Sequence, residues 1–519
     1  MKRAYFSRLA ASVCQVGRAL CNFSADSGNG GFRGSGSGRR LGSWQETDAA
    51  INSLLSAEGD TLRSRCRGLV RKNQWARCAQ DSFVANVIGT GIKPQSLHPD
   101  PEIRSLLHSE FARWTDQSDA DGLTDFYGQQ AIALREVFES GEVIARLRAR
   151  LPIDNLRIPL QVQLIESEHM PFTLNQTNGG NLVRAGIEFT PYGKREAYWL
   201  YPEHPGLGAL ILNAAVSLNP VRITANDPSG LPMVLHMFAP LRAGQYRGQP
   251  WLAPVMVTLW ELDQFVDAVL VRQKLANMFV GWQRRSDLND AGPMLATANL
   301  PNSDEEAEEG VGFGQLQPGT ILDLDPGDTL EFSAPPGPGA EFENFLKVML
   351  HAFASGIGVP YEQITWDLEK VNYSSIRAGM LEFRRRCEQL QFATVVYQFC
   401  RPIWNRWVND AVLAGVLPQP KSQKEWDDLR SVKWRTPKWA WVDPVKDISA
   451  AVTAIRAGLQ SRDGCIHELG DDPETIDQEI ADGNARADKL GNVYDSDPRK
   501  TTSTGIEQSA KLSSATKGE

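Results

Sequence analysis

Side chains able to do covalent chemistry are present in this chain but nowhere assembled. His169, His204 and His236 stand among short alternating stretches, and no serine in a GxSxG turn accompanies them. A lone histidine says little, so all three read as structural. Cys465 and His467 are too isolated for a zinc site, and the seven cysteines, with no CxxC among them, suggest reduced thiols. The Gly/Ser-rich stretch Ser24–Ser43 is followed by no GK[ST], so it reads as a flexible linker rather than a phosphate loop. The run Asp304-Glu305-Glu306-Ala307-Glu308-Glu309 could attract Mg²⁺, but contiguous carboxylates more often form a solvated loop. No catalytic residue, metal ion or cofactor is therefore expected. A hydrolase using scattered Asp, Ser and His is the enzymatic alternative.

The remaining candidate group is non-covalent and sits between two helices. Phe342, Phe345, Leu346, Met349 and Phe353 line one side of a helix, which Gly356, Gly358 and Pro360 should stop. An irregular segment, Tyr361 to Tyr373, carries Trp366, Asp367, Glu369, Lys370 and Asn372. Ser374 or Ser375 can cap the next helix, whose seam is Ile376, Met380, Phe383, Cys387, Leu390, Thr394 and Tyr397. Arg377, Arg384, Arg385 and Arg386 lie on that helix and could face phosphate or bridge to a neighbour. By pattern alone this is two packed helices with a surface loop.

The wording of the stretch is more specific. Ile357-Gly358-Val359-Pro360-Tyr361-Glu362, Thr365 and Asp367, then Asn372-Tyr373-Ser374-Ser375 with Arg377, Gly379 and Glu382-Phe383-Arg384 resembles the portal proteins of lambda-type tailed bacteriophages. Asn86 to Ile92, Arg242 to Trp251 and Trp441 to Asp447 extend the resemblance, which covers roughly Trp44 to Ile480. It implies an α+β multidomain portal fold: an α/β wing, long stem helices, a small α/β clip, a helical C-terminal crown, and assembly into a ring of twelve. It also implies a channel for double-stranded DNA, with the large terminase, the major capsid protein and head–tail connector proteins as partners. The place would be the portal vertex of the virion, after assembly in the host bacterial cytoplasm. A passive head–tail adaptor is the second structural reading.

On that resemblance the chain divides into a basic arm and linker (1–43), wing (44–248), descending stem helix (249–283), clip (284–338), ascending stem helix (339–358), tunnel loop (359–373), long kinked helix (374–400), crown (401–480) and a disordered tail (481–519). Trp366, Asp367, Glu369, Lys370 and Asn372 become candidates for the bore-facing loop. The acidic Asp304, Glu305 and Glu306 become a candidate partner contact in the clip. Independently of it, Val255, Leu259, Leu262, Val266 and Val269 mark an apolar face on a helix from Ala253 to Phe279, opened by Pro254. Trp260, Phe265 and Leu275 widen that face, so the helix needs neighbours on more than one side. Leu259, Leu262, Val266, Phe345 and Met349 are the expected stem-packing residues.

Short strands are expected at 143–149, 160–164, 187–189 and 199–201, with 221–223 and 234–236 forming a hairpin across Pro228-Ser229-Gly230. In the acidic hairpin region, Ile321–Leu324 and Leu330–Phe332 should flank Pro326-Gly327-Asp328. Arg63, Arg67, Arg71 and Arg77 fall near one helical face. They are either a phosphate-facing strip or, the favoured reading, a face paired with carboxylates. The net charge of −9 argues against a tight nucleic-acid binder. Twelve copies would carry twelve times −9, or −108, which suits a conduit through which DNA must slide. The apolar run Val255–Val280 is broken by Glu261, Asp263, Asp267, Arg272 and Lys274, so no membrane span is expected.

Overall fold

The computed structural model describes residues 48–209, 219–277, 281–284, 329–332, 341–369, 373–437, 439, 444–468, 472–494 and 499. Met1–Leu54 and Leu55–Glu519 are separate units, and the account below concerns the second. Helices α1 (Ile51–Lys72) and α2 (Gln74–Val87) are divided at Asn73. Its side-chain oxygen accepts the Trp75 and Ala76 N–H groups at 3.0 and 3.1 Å, satisfying donors that the new helix leaves free. Then follow β1 (Lys93–Ser96), α3 (Pro101–Thr115), α4 (Phe126–Ser140), β2 (Glu142–Ala149) and β3 (Leu160–Ile165). Next come β4 (Gln176–Asn178), β5 (Asn181–Arg184), β6 (Ile187–Phe189), β7 (Arg195–Leu200), β8 (Val221–Thr224) and β9 (Val234–Phe238).

Two sheets result, a three-stranded one ordered β3-β2-β9 and a five-stranded one ordered β4-β5-β6-β7-β8. The expected hairpin closes only at its turn, where Asn226 bridges Pro232 antiparallel and the Asp227 N–H donates to Leu231 O at 2.8 Å, while 221–223 and 234–236 do not pair. β8 pairs with β7, while β9 crosses to β2, so the turn at Pro228–Gly230 carries the chain from one sheet to the other. Alternation along β2 serves both sides, as period-two geometry requires. Val143, Ala145 and Leu147 enter the main core with α2, α3 and α4, and Ile144 enters a second core with Ile187, Tyr198 and Val234 from the other strands.

A buried ion pair ties these layers to the segment leading into the first long helix. Arg247 and Glu142 are both essentially without solvent contact. Arg247 Nε donates to Glu142 Oε1 at 2.8 Å, and the same guanidinium donates to Ala185 O (2.6 Å) and Met170 O (3.0 Å). Phe172 lies flat beneath it, 3.8 Å from ring centroid to Cζ. Gly248 N–H donates to the other carboxylate oxygen at 2.7 Å, and any Cβ at Gly248 would strike the Gly141 carbonyl. His236 Nδ1 faces Arg195 Nη1 at 3.0 Å, so its Nε2–H donates to Glu142 Oε2 at 2.9 Å. Burial would raise the Glu142 pKa, but Arg247 and His236 more than reverse this and hold it far below the usual range.

After α5 (Met256–Asn277) come β10 (Gly281–Arg284), β11 (Thr329–Phe332), α6 (Glu341–Ile357), α7 (Tyr361–Thr365) and α8 (Tyr373–Leu390). α8 continues as a π-helical segment, Gln391–Cys400, into α9 (Arg401–Leu413). The chain then forms α10 (Gln423–Arg430), β12 (Val432–Arg435), α11 (Pro444–Arg456), α12 (Arg462–Glu468) and α13 (Pro473–Leu490). Several expected boundaries are corrected. The first long helix starts after Pro254 and is described to Asn277, and β10, expected within the 249–283 stretch, pairs with β11 instead. The region 401–480 is not wholly helical, because β12 pairs antiparallel with β1 over 300 residues away in sequence. Helix α13 runs through Ala481 to Leu490, well into the stretch expected to be disordered. Ile321–Leu324 lies outside the described residues. Among the described residues no helix is long and apolar enough to cross a membrane.

Aromatic packing joins the C-terminal helices to α3 and α4. Trp407 meets Phe111 edge-on at 5.0 Å, Trp404 stacks near Trp407 at 5.2 Å, and Phe399 stacks on Phe126 at 6.0 Å. The favoured reading of the arginine face holds for Arg63 and Arg67. Arg67 bonds Glu136, Glu139 and Glu168, and Arg63 bonds Asp60 and Ser167. Arg77, on the far side of the Asn73 break, pairs with Asp81 at 3.1 Å.

Replacing Arg247 with Met should lower stability by about 3–5 kcal/mol, because it strands the Glu142 carboxylate without a counter-charge; thermal unfolding checks this. Burial lowers the His236 pKa to about 4, while an unfolded histidine takes up its proton near 6.5. The contribution of the neutral ring is thus present above about pH 6.5 and lost as pH falls toward 4. The melting temperature of the parent should drop across that window, and His236→Gln should flatten the drop.

Candidate functional site

The loop at the centre of the site hangs between two helices that the sequence makes apolar along one side. On α5, Leu259 and Leu262 are buried, continuing Leu252, Val255 and Met256, and Val266 and Val269 are half-buried farther along. On α6 the buried side is Leu350, Phe353, Ala354 and Ile357, with Met349 half-buried. The two helices touch where Phe265 meets Phe345 (4.9 Å) and Phe342 (6.0 Å). Gly356 lies inside α6 against Val255, where no side chain would fit. Phe345 itself is still 45% exposed, so the expected packing set splits into a buried part and one that a single chain leaves open.

Helix α6 ends at Gly358, which adopts φ +70°. A left-handed residue closes the helix, and glycine takes that conformation without penalty. The space its missing Cβ leaves is filled by Arg386 from α8. That guanidinium donates to Ile357 O at 2.5 Å and lies 5.3 Å from the Phe83 ring. Arg386 is therefore a tie between the two helices that flank the loop. Arg384 lies 5.4 Å from the Trp439 ring and Arg377 lies 3.5 Å from Asp447. Arg385 points outward, 74% exposed, and pairs with Glu382 one turn back. The four arginines do not form one basic surface.

The segment expected to be irregular begins with a helical turn, α7. Ile364 is buried, Cys78 Sγ donates to Gln363 O at 3.2 Å, and Ser82 Oγ donates to Gln363 Oε1 at 2.7 Å. Both donors come from α2, so the loop's base is bolted to the main core. Tyr361 stacks on His351 at 4.1 Å and its hydroxyl donates to Asp367 at 3.3 Å. The Glu369 N–H, with Lys347 beside it, holds the Asp367 carboxyl below its usual range. Beyond this base the chain turns outward. Trp366 sits at φ +58° and is 77% exposed, and Leu368 and Glu369 are exposed with it. Lys370 and Asn372 lie outside the described residues, as do Asp304, Glu305 and Glu306. Ser374 and Ser375 fall inside α8, which starts at Tyr373, rather than ahead of it.

The seam expected on α8 is followed only partway. Phe383, Cys387 and Thr394 are buried, but Tyr397 is 63% exposed. The π-helical turns carry an extra residue each, so the buried side shifts to Val395, Val396, Phe399 and Cys400. Elsewhere, ligand-type atoms of Glu166, Glu168 and His204 lie within 4.8 Å of one another. Their valences are already used: Glu168 accepts from Arg67 at 2.7 Å, and His204 Nδ1 accepts the Gly206 N–H while Nε2 faces Glu166.

Residues 37–391 match the family described as phage portal protein, lambda family, which is more than half of the chain. The chain belongs to that family. A probable portal protein of Halomonas phage phiHAP-1 is 27% identical over 453 residues, covering 84% of this chain and 82% of the relative. Portal protein B of Escherichia phage lambda is 22% identical over 479 residues, covering 85% and 87%. The neck of a native gene transfer agent particle gives a TM-score of 0.44 at 12% identity, over 78% of this chain and 93% of that one, a likeness too loose to argue from.

In this portal protein the anchoring residues Ser82, Gln363, Ile364 and Lys347 carry no motif that singles them out in the sequence. Gly358 was legible as a helix stop, but its pairing with Arg386 was not. Gly358→Ala should cost about 1–3 kcal/mol, since it both strains a left-handed position and displaces Arg386. Thermal unfolding of Gly358→Ala and of Arg386→Ala, alone and combined, should show losses that are less than additive.

Proposed function

We propose that this portal protein is one subunit of a closed, non-enzymatic ring of twelve copies at the capsid vertex, through which double-stranded DNA enters and leaves. The observation that carries the reading is the bare apolar surface of the stem. Val257 (70%), Trp260 (53%), Leu270 and Val271 on α5, and Val348 on α6, stand open on a single chain. Singly exposed apolar residues are ordinary, but a helix carrying this many beside its buried side asks for a second partner. A neighbouring copy in head-to-tail contact supplies it, and a head-to-tail contact whose rotation closes gives a ring.

The loop 366–372 is the part proposed to face DNA. Its base is fixed to α2 and its tip offers Trp366 and Leu368 rather than a cluster of cations. Asp367 and Glu369 against Lys370 leave it with a net charge of −2 plus 1, or −1. Phosphate would be touched without counterion-releasing grip, which permits sliding. The wing, clip and crown divisions belong to the same proposal. So do the large terminase, the major capsid protein and the head–tail connectors as partners, with Asp304, Glu305 and Glu306 as a contact in the clip. Assembly would take place in the host cytoplasm before the ring enters the virion.

Two variants test the reading. Trp260→Glu should leave the melting temperature of the single chain unchanged yet abolish annular particles in electron micrographs; intact rings would show that this surface is not the subunit contact. Trp366→Glu should leave rings intact and cost most of the DNA retained in packaging assays, whereas normal packaging would remove the loop from the DNA path.

A further inference from the structure

Sheet β3-β2-β9 is covered by the second sheet over only part of one face, and the open part carries a row of arginines. Residues of the Ile144 side recur every second position along β2, about 6.7 Å apart. Ile144 is buried in the second core, but Arg146 and Arg148, and Arg150 just past the strand end, are only half-buried. Opposite them, Gln163 pairs in register with Arg146 and Gln161 with Arg148. Arg148 Nε donates to Gln163 Oε1 at 2.7 Å and Arg150 Nε to Gln161 Oε1 at 2.6 Å. Gln161 is itself held by its amide, which donates to Gln117 O and Asp119 O at 3.0 Å. The glutamines thus fix two guanidinium planes through Nε and leave the outer nitrogens without a hydrogen-bond partner among the described residues.

Among the described residues none of the three arginines has a carboxylate oxygen within 4.0 Å, although Asp121 acts on Arg148 from farther away. By contrast, the partly or fully buried Arg63, Arg67, Arg222, Arg247 and Arg406 pair with acids. Burial, then the charges of Arg146 and Arg150, pull the Arg148 pKa down, yet a guanidinium keeps its proton at any physiological pH. Deprotonation does not relieve the crowding, whereas an anion does. In a chain of net charge −9, a row of three cations, two of them fixed, is matched by a partner with evenly repeated negative charge.

We infer that Arg146, Arg148 and Arg150 form a contact for the phosphodiester backbone of DNA, separate from the loop at 366–372. Spacing of the row is comparable to the step between successive phosphates on one strand, and guanidinium outer nitrogens bind phosphate bidentately. An acidic protein segment is the competing partner, and the experiment separates the two. The inference does not rest on the ring: imaging reads assembly, and a salt titration reads this contact.

The full-length protein, in its native assembly state, would be titrated with a short random-sequence DNA duplex over a range of salt concentrations. Changing all three arginines to Gln should flatten the slope of log affinity against log salt by about 2.7, three contacts at about 0.9 each. The three Arg→Lys changes should retain most of the slope. The single Arg150→Gln, beyond the strand end, should remove about 0.9 with no change in melting temperature. An unchanged slope in Arg150→Gln and the triple variant overturns the inference. So does an unchanged slope accompanied by loss of rings or of polyglutamate binding, which would assign the row to a protein partner.

Discussion

The architecture depends on one interaction that has no solvent to soften it, the pairing of Arg247 with Glu142. A lone carboxylate at that depth would be prohibitively costly, so Glu142 can start β2 only if Arg247 arrives, and the reverse. The same guanidinium collects carbonyls of residues 170 and 185, and Phe172 closes it from below. Four stretches distant in sequence are thereby referenced to a single group. Since Arg247 lies nine residues before α5 begins, that group also sets where α5 leaves the sheets.

From there the constraint passes down the chain through side chains rather than through continuous secondary structure. Val255 meets α6 at Gly356, α6 ends on Gly358, and Arg386 locks α8 to that end. Phe83, which the Arg386 guanidinium overlies, belongs to α2, and α2 also holds the base of the loop through Ser82 and Cys78. A loop fixed on both flanks and at its foot presents its tip without itself being part of the core.

The sequence was most readable where a single local rule governs. Helix α6 followed from apolar spacing and its stop from Gly358; β2 and β3 followed from alternation, whereas β7 spans Arg195–Leu200 and buries Tyr198 and Leu200 rather than Trp199 and Tyr201. It was least readable where the outcome depends on a distant partner. The pairing of β1 with β12 has no local signature, and β8 and β9 look like a hairpin because the turn between them is a good one. What separates them is the choice of sheet, which is made by Ile144 and Glu142 from another strand. Within the candidate site, exposed Trp366 and the basic residues of α8 stood out by type, but not their uses. Sequence leaves Arg386 open between phosphate and a neighbouring subunit, and it is a helix tie, because a carbonyl 29 residues away needed a donor. The resemblance to portal proteins supplied the family; it could not supply these pairings.

The π-helical winding of Gln391–Cys400 has a further consequence for how the two halves of that long rod are phased. Each residue removed from a helix swings everything after it by about 100°. Rewound at ordinary pitch, the segment would rotate Trp404 and Trp407 away from Phe111 and into water. The aromatic nest therefore works as a detent: it holds the downstream half at one angular setting, and so dictates which side of the upstream half, Arg386 included, is turned toward α6.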